Sequence, residues 1–318
     1  MFSLRFFILR KVIQAVVVIV LVTLATQLLS SLIPGSPGQS ILGEGAGKEA
    51  IDRFNQEYGF DKPFWTRYWD WITGALHGDL GQSVQSRQPV ADVLLAHLPV
   101  TLELAVVSIA LSLLIAIPVA VLCATYEGGW LDRLVTAFSS GLLAIPGFVA
   151  CVFLVAFFSV QAGVFPIYGW VPLTEDPWQN VVHAALPVAV LSIASCPLFL
   201  RVLRADLVTT LREDFVLAAR ARGLPNSYIM FRHVLRPASA SLFTLAGLVF
   251  GFLMGGSIIV ETYFSLPGIG QAVGIAVQAN DLPIVQGVVA LVAVVYVVVN
   301  TLVDTGYRLL DPQSGRQR

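Results

Sequence analysis

Charge is scarce in this sequence. Lys, Arg, Asp and Glu make up 12% of its 318 residues, where a soluble globular chain carries about a quarter, and hydrophobic residues reach 56%. That balance excludes an ordinary water-soluble globule and makes lipid the solvent for most of the chain. The two signs nearly cancel, at a formal net charge of −1, so the total says nothing about nucleic acid or acidic partners; the positions of the charges carry the information. Cysteine is equally sparse. Cys123, Cys151 and Cys196 each lie inside an apolar run, which excludes a disulfide framework and a CxxC metal site and leaves three packing residues. His77, His97, His183 and His233 are scattered without metal-ligand spacing, and neither HExxH nor GxSxG occurs, so neither a metal site nor a catalytic residue is expected. GxxxxGKS/T is missing as well, which removes the usual loop for holding ATP phosphates.

Long apolar runs are what the chain has in abundance. The first, from Val12 to about Ile33, follows Arg5, Arg10 and Lys11; it exceeds the roughly 7–15 residues of a signal-peptide core and has no clear cleavage site, so it is expected to stay as a first membrane helix. Further runs at about 100–124, 136–160, 183–204, 238–261 and 284–307 bring the expected number of spans to six. Each should be helical, because hydrocarbon offers no partner to a free backbone amide. Kinks are expected at Pro118, Pro146, Pro187 and Pro197. Fourteen of the nineteen basic residues, among them Arg133, the seven between Arg201 and Arg236, and Arg308, Arg316 and Arg318, fall on one face of this topology. Both termini are therefore expected in the cytoplasm.

Two connections stand out. Residues 34–98 are too polar to cross and too long for a simple loop, and an amphipathic stretch from Ala50 to Leu76 concentrates Phe60, Phe64, Trp65, Tyr68, Trp69 and Trp71. Such aromatics form either an interfacial belt or small cap, or a contact with a delivered ligand or its carrier. Between the fourth and fifth runs, strong helix formers over 212–222 end at Gly223 with Pro225 beyond, which predicts a short exposed helix and a sharp turn. Phe215, Ala218, Ala219 and Arg222 share one face by spacing, an aromatic anchor beside small residues that permit close approach. An arginine-rich cytoplasmic loop alone would explain the charges but not this spacing, nor Pro237 fourteen residues after Gly223. The acidic residues near the runs, Glu103, Glu261 and Asp304, sit towards their ends. The segment Ser265 to Pro283 reads equally as a re-entrant element or an outer loop.

Ala218-Ala219 with Gly223, followed by His233-Val234-Leu235-Arg236-Pro237, resembles the coupling loop of bacterial ABC importer permeases, with Leu217 where that motif has Glu. Further matches run along nearly the whole chain: Leu32 to Pro37, Tyr58 to Pro63, Gly78 to Ser83, Leu98 to Leu104, Ile145 to Phe148 and Val260 to Gly270. Together they resemble the B-type subunits of the dipeptide/oligopeptide/nickel permeases. The resemblance implies an all-α polytopic protein of the type I importer fold, one permease domain over 1–318, with an extracytoplasmic insertion at 34–98 between helices 1 and 2 and a coupling loop at 206–236. It implies a multi-pass protein of the bacterial plasma membrane that imports di- or oligopeptides, with nickel or glutathione as alternative cargo. Its partners would be a second permease subunit, two ATPase subunits that carry the ATP and magnesium, an extracytoplasmic substrate-binding protein and the surrounding lipid; no cofactor is expected on this chain. Asp214, Phe215, Ala218, Ala219, Arg220, Arg222, Gly223 and Leu224 would couple to the ATPase. Glu261, Phe264, Pro267, Gly268, Gly270 and Asp79 would serve as gate or binding-protein contacts. An ion-coupled secondary transporter is the alternative from another class; it would place ionisable residues at mid-depth and show related halves, and neither is evident.

Overall fold

The computed structural model describes residues 2–32, 37–43 and 45–310. Ile33 to Ser36, within the first matched motif, lie outside the described residues, as do Arg316 and Arg318 and the side chains of Arg5, Asp304 and Arg308.

Among the described residues the regular elements are all helices, joined by turns and loops, with one isolated bridge, Gln82 to Pro89. In order, the helices are α1 (Phe2–Ser31), α2 (Pro37–Leu42), α3 (Lys48–Glu57), α4 (Phe64–Leu76), α5 (Val90–Thr125), α6 (Trp130–Leu143) and α7 (Gly147–Leu154), the last running on as a π-helix to Gln161. Then come α8 (Pro177–Thr210), α9 (Asp214–Ala221), α10 (Asn226–Tyr228), a π-helical turn over Ile229–Val234, α11 (Leu235–Ala238), α12 (Ala240–Gly256), α13 (Ile258–Phe264), α14 (Ile269–Gln278) and α15 (Leu282–Leu310). Four stretches of the described residues are long and apolar enough to cross a bilayer unbroken: Arg10–Ser31, Val90–Thr125, Pro177–Thr210 and Leu282–Val303. Three broken pairs, α6 with α7, α10–α11 with α12, and α13 with α14, raise the possible number of spans to seven. Six therefore lies inside the range these helices permit.

Several expected boundaries move. The stretch from Ala50 to Leu76 is two helices, parted at Tyr58 to Pro63, because Gly59 and Pro63 break the run. The second span begins at Val90 rather than 100, since Val90 and Leu94 are almost fully buried and hold the polar first turns of α5 in place by packing. Helix α8 passes through Pro187 and Pro197 without a break, and α5 passes through Pro118. Only Pro146 coincides with a break: it caps α7, and α6 and α7 meet at 99°. At the start of α8, Asp176 accepts hydrogen bonds from the backbone amides of Trp178 (2.9 Å) and Gln179 (3.1 Å), and Pro177 occupies the first helical position.

The chain divides into two compact units. The first comprises residues 1–99 and 267–297, with Val90, Leu94, Ile269, Ala276, Ile284 and Val288 as its buried cluster. Helix α4 is docked on α1 through Tyr68, whose hydroxyl lies 3.1 Å from both Thr23 Oγ1 and the Val20 carbonyl. The second comprises residues 100–266 and 298–318, organised around α8, whose Phe199, Leu203 and Leu207 have no exposed surface. Lipid tails are as apolar as leucine, so within a bilayer these residues stabilise the unit by dense packing rather than by escape from water.

Candidate coupling loop and gate segment

The cytoplasmic-loop candidate grows out of α8 in the second unit. Three polar links tie its base. Arg204 holds Asp132 through two hydrogen bonds, Nε to Oδ1 at 2.5 Å and an Nη to Oδ2 at 2.6 Å. Arg212 reaches Glu127 at 2.7 Å, and the Ser241 hydroxyl donates to Asp206. Glu213, with extended backbone, then caps α9, whose first turn carries Asp214. An acidic residue there suits the positive end of the helix dipole.

Helix α9 has a distinct inner and outer face. Val216 (0% exposed) and Ala219 (8%) are buried in the core of this unit, which also contains Ile229, Met230 and Val234 of the following π-helical turn. Asp214, Phe215, Leu217, Ala218, Arg220 and Arg222 are exposed. Phe215, Ala218 and Arg222, at i, i+3 and i+7, do form one free stripe, whereas Ala219 belongs to the seat of the helix. Pattern alone could not separate the two alanines, because the groove that receives Ala219 comes from residues 229–234. Gly223 ends the helix as expected: its φ of 76° is left-handed, and the reversal lets the Leu224 amide bond the Ala219 carbonyl and the Gly223 amide bond that of Arg220. Leu224 is half-buried against the same core.

The second group of candidate residues divides between the units. In the second unit, Glu261 is fully buried in α13, and its Oε1 accepts from Thr101 Oγ1 at 2.9 Å and Ser257 Oγ at 2.7 Å. Phe264 is 2% exposed, and Ser265 (φ 54°) ends the helix by a left-handed turn in which the Leu266 amide bonds the Glu261 carbonyl. In the first unit, Pro267 is exposed, Gly268 precedes α14 with extended backbone, and Gly270 is buried beside Ile269 of the core. Asp79 is exposed and accepts from the Gly81 amide at 2.8 Å.

Sequence reasoning missed Asp281. Its buried carboxylate accepts from Ser83 Oγ at 2.5 Å, the Gln85 amide at 3.2 Å and the Ile284 amide at 3.4 Å, stapling the 83–85 turn to the start of α15. The partners stand 198 positions apart in the case of Ser83, and although Ser83 falls in a matched motif, nothing local pairs it with Asp281. The aromatic segment likewise gains an ion pair, Lys62 to Asp70 at 2.6 Å; the carboxylate holds the Lys62 ammonium above its usual pKa. Among the described residues no three His, Cys, Asp or Glu side chains are grouped to hold a metal.

Residues 116–316 match the model of the binding-protein-dependent transport system inner membrane component, and residues 3–105 match the corresponding N-terminal model. A putative peptide transport system permease protein of Brucella abortus is 33% identical over 306 residues, which cover 96% of this chain and 98% of that one. A glutathione transport system permease protein of Shigella flexneri is 31% identical, over 96% and 97%. Among solved structures, the MetNI methionine ABC transporter in inward-facing conformations aligns with a TM-score of 0.57 at 21% identity, over 69% of this chain and 96% of its own, which is a likeness of fold.

Proposed function

Since this chain belongs to the binding-protein-dependent transport system inner membrane components, and is thus a multi-pass permease subunit of an ABC importer, we propose that it carries short peptides across the plasma membrane on energy supplied by partner ATPases. The peptide assignment draws on the full-length similarity to peptide permeases; glutathione, itself a tripeptide, is the second cargo that a relative of similar identity supports. The ion-coupled alternative gives way to the family membership.

The observation that carries the mechanism is the two-faced α9. Val216 and Ala219 lock the helix to the core around α8 and the π-helical turn, while Phe215, Ala218 and Arg222 face outward. A helix seated this firmly moves with its unit, so a partner gripping the outer stripe could displace the membrane helices as a rigid body. Asp214, Arg220 and Arg222 would supply the charged rim of that contact, and the turn at Gly223 and Leu224 fixes the helix angle. With no phosphate-binding loop in the chain, ATP and magnesium belong on two ATPase subunits, and a second permease subunit would complete the pathway. An extracytoplasmic binding protein would deliver cargo near the 34–98 insertion and the segment from Glu261 to Gly270. The distribution of basic residues supports cytoplasmic termini.

In the reconstituted complex, Gly223→Asp should abolish the ATP hydrolysis stimulated by cargo and binding protein while leaving membrane insertion intact, because a side chain at φ 76° distorts the turn that aims α9. Stimulated hydrolysis at the unaltered rate would overturn the coupling role of this loop.

A further inference from the structure

A cavity of about 450 Å³ opens within the first unit, in the size range of small-ligand sites. Its walls come from the end of α3 and its connection to α4, from α4 itself, from the last turns of the apolar stretch of α1, from the turn around Asp79 and from the start of α15. Its charges are not balanced internally. Lys62 and Asp70 neutralise one another. Arg67 is half-buried on the wall, and among the described residues its guanidinium has neither an ion-pair nor a hydrogen-bond partner; burial pushes its pKa below the usual guanidinium range. Among the described residues the exposed Glu57 also lacks a side-chain partner, and the exposed Asp79 carboxylate is engaged only by the Gly81 amide. What remains among the described residues is one half-buried cation without a counter-charge and two exposed carboxylates outside any ion pair. Three carboxamides, Gln27, Gln82 and Gln286, add neutral donors and acceptors to the wall, with Gln286 bonded to Gln27 at 3.3 Å.

The partly desolvated Arg67 guanidinium costs free energy until a counter-charge arrives, whereas Glu57 and Asp79 are solvated and contribute negative charge at the rim. A simple anion would meet Arg67 but also Glu57 and Asp79; a simple cation would meet Arg67 as a repeller. A ligand bearing both signs meets Arg67 with its anion and the rim carboxylates with its cation, and amide groups along its length suit the glutamines. We infer that this cavity is a receiving site for a short zwitterionic peptide, with the peptide carboxylate on Arg67 and its ammonium between Glu57 and Asp79. The inference rests on the peptide-import reading above, and extends it by giving the permease a cargo site of its own. Helix α4 is held on α1 by Tyr68, so the wall that carries Arg67 is anchored before any ligand arrives.

The test uses the complete importer in nanodiscs without its binding protein, titrated with tritiated trialanine and with trialanine blocked as the N-acetyl amide. Free trialanine should bind saturably, and loss of the charge-assisted hydrogen bond in Arg67→Gln should weaken it at least about tenfold. Blocking both ends should cost at least as much on the unaltered protein, a comparison that stands even if the variant fails to assemble. Glu57→Gln should weaken free trialanine while leaving N-acetyl trialanine unchanged. Absence of saturable binding, or equal affinity for free and blocked peptide, overturns the site. Peptide uptake by proteoliposomes supplied with the binding protein separates the two readings: uptake without binding removes the cavity site and leaves import standing, whereas binding without uptake overturns import alone.

Discussion

Asp132 and Arg204 stand 72 positions apart, and their bidentate contact decides how α6 meets α8. The Asp132 side chain is 4% exposed and also accepts from the Gly128 amide, so it has no water to fall back on. Asp132→Ala should destabilise the protein by about 3 kcal/mol, because it leaves a partly buried guanidinium alone. Adding Arg204→Ala should recover part of that loss, and unfolding midpoints of the two variants in detergent would show it; a double variant no more stable than the single one would assign the loss to packing. At this scale the sequence was only partly legible. Gly223 announced itself, because a glycine after a run of helix formers with proline beyond is a local signal for a left-handed stop. Asp132, Asp281 and Ser83 did not, because a buried polar residue is recognised by its partner and the partner is distant in the chain.

Helix existence was legible from hydropathy, whereas helix ends set by packing, without a local stop such as Gly223, were not. Helix α5 reaches back to Val90 because Val90 and Leu94 pack beside α15, a contact that outweighs the polar Asp92 and His97 within those turns. Gly287 reports how close that packing is: a methyl group placed on it would sit 2.5 Å from Val90 Cγ1 and 3.2 Å from Leu94 Cδ1. Gly287→Ala should therefore cost about 1–3 kcal/mol through overpacking, and Val90→Ala in the same chain should relieve it; a thermal unfolding series would detect both shifts. Helix α9 gives the same lesson at finer grain. Its spacing proposed one face containing both alanines, yet Ala219 turns inward to a surface made by residues 229–234, and the outer stripe is narrower than the pattern suggested. The aromatic run shows it again, since Tyr68 plugs against α1 while Trp65 and Trp69 remain largely exposed.

For the whole molecule, the basic residues argue that α9 faces the cytoplasm and the turn after Asp79 faces outward. Ser86→Cys should react with a membrane-impermeant maleimide added to intact cells, and Arg220→Cys should react only after the membrane is breached; the opposite pattern would invert the topology. Both positions are exposed; Cys123 and Cys151 are buried, and replacing the half-buried Cys196 by Ser removes the remaining source of background labelling. Apolar run length, the clustering of arginine and the order of short motifs are properties of the chain itself, so the sequence alone determined a helical membrane permease of the importer family and the existence of the loop at α9. The angle at which α6 meets α7, the inward turn of Ala219, the Ser83–Asp281 staple and the charge left over in the cavity beside Arg67 were decided only by tertiary structure. Each of them depends on which distant side chains arrive as neighbours, and a local pattern carries no record of that.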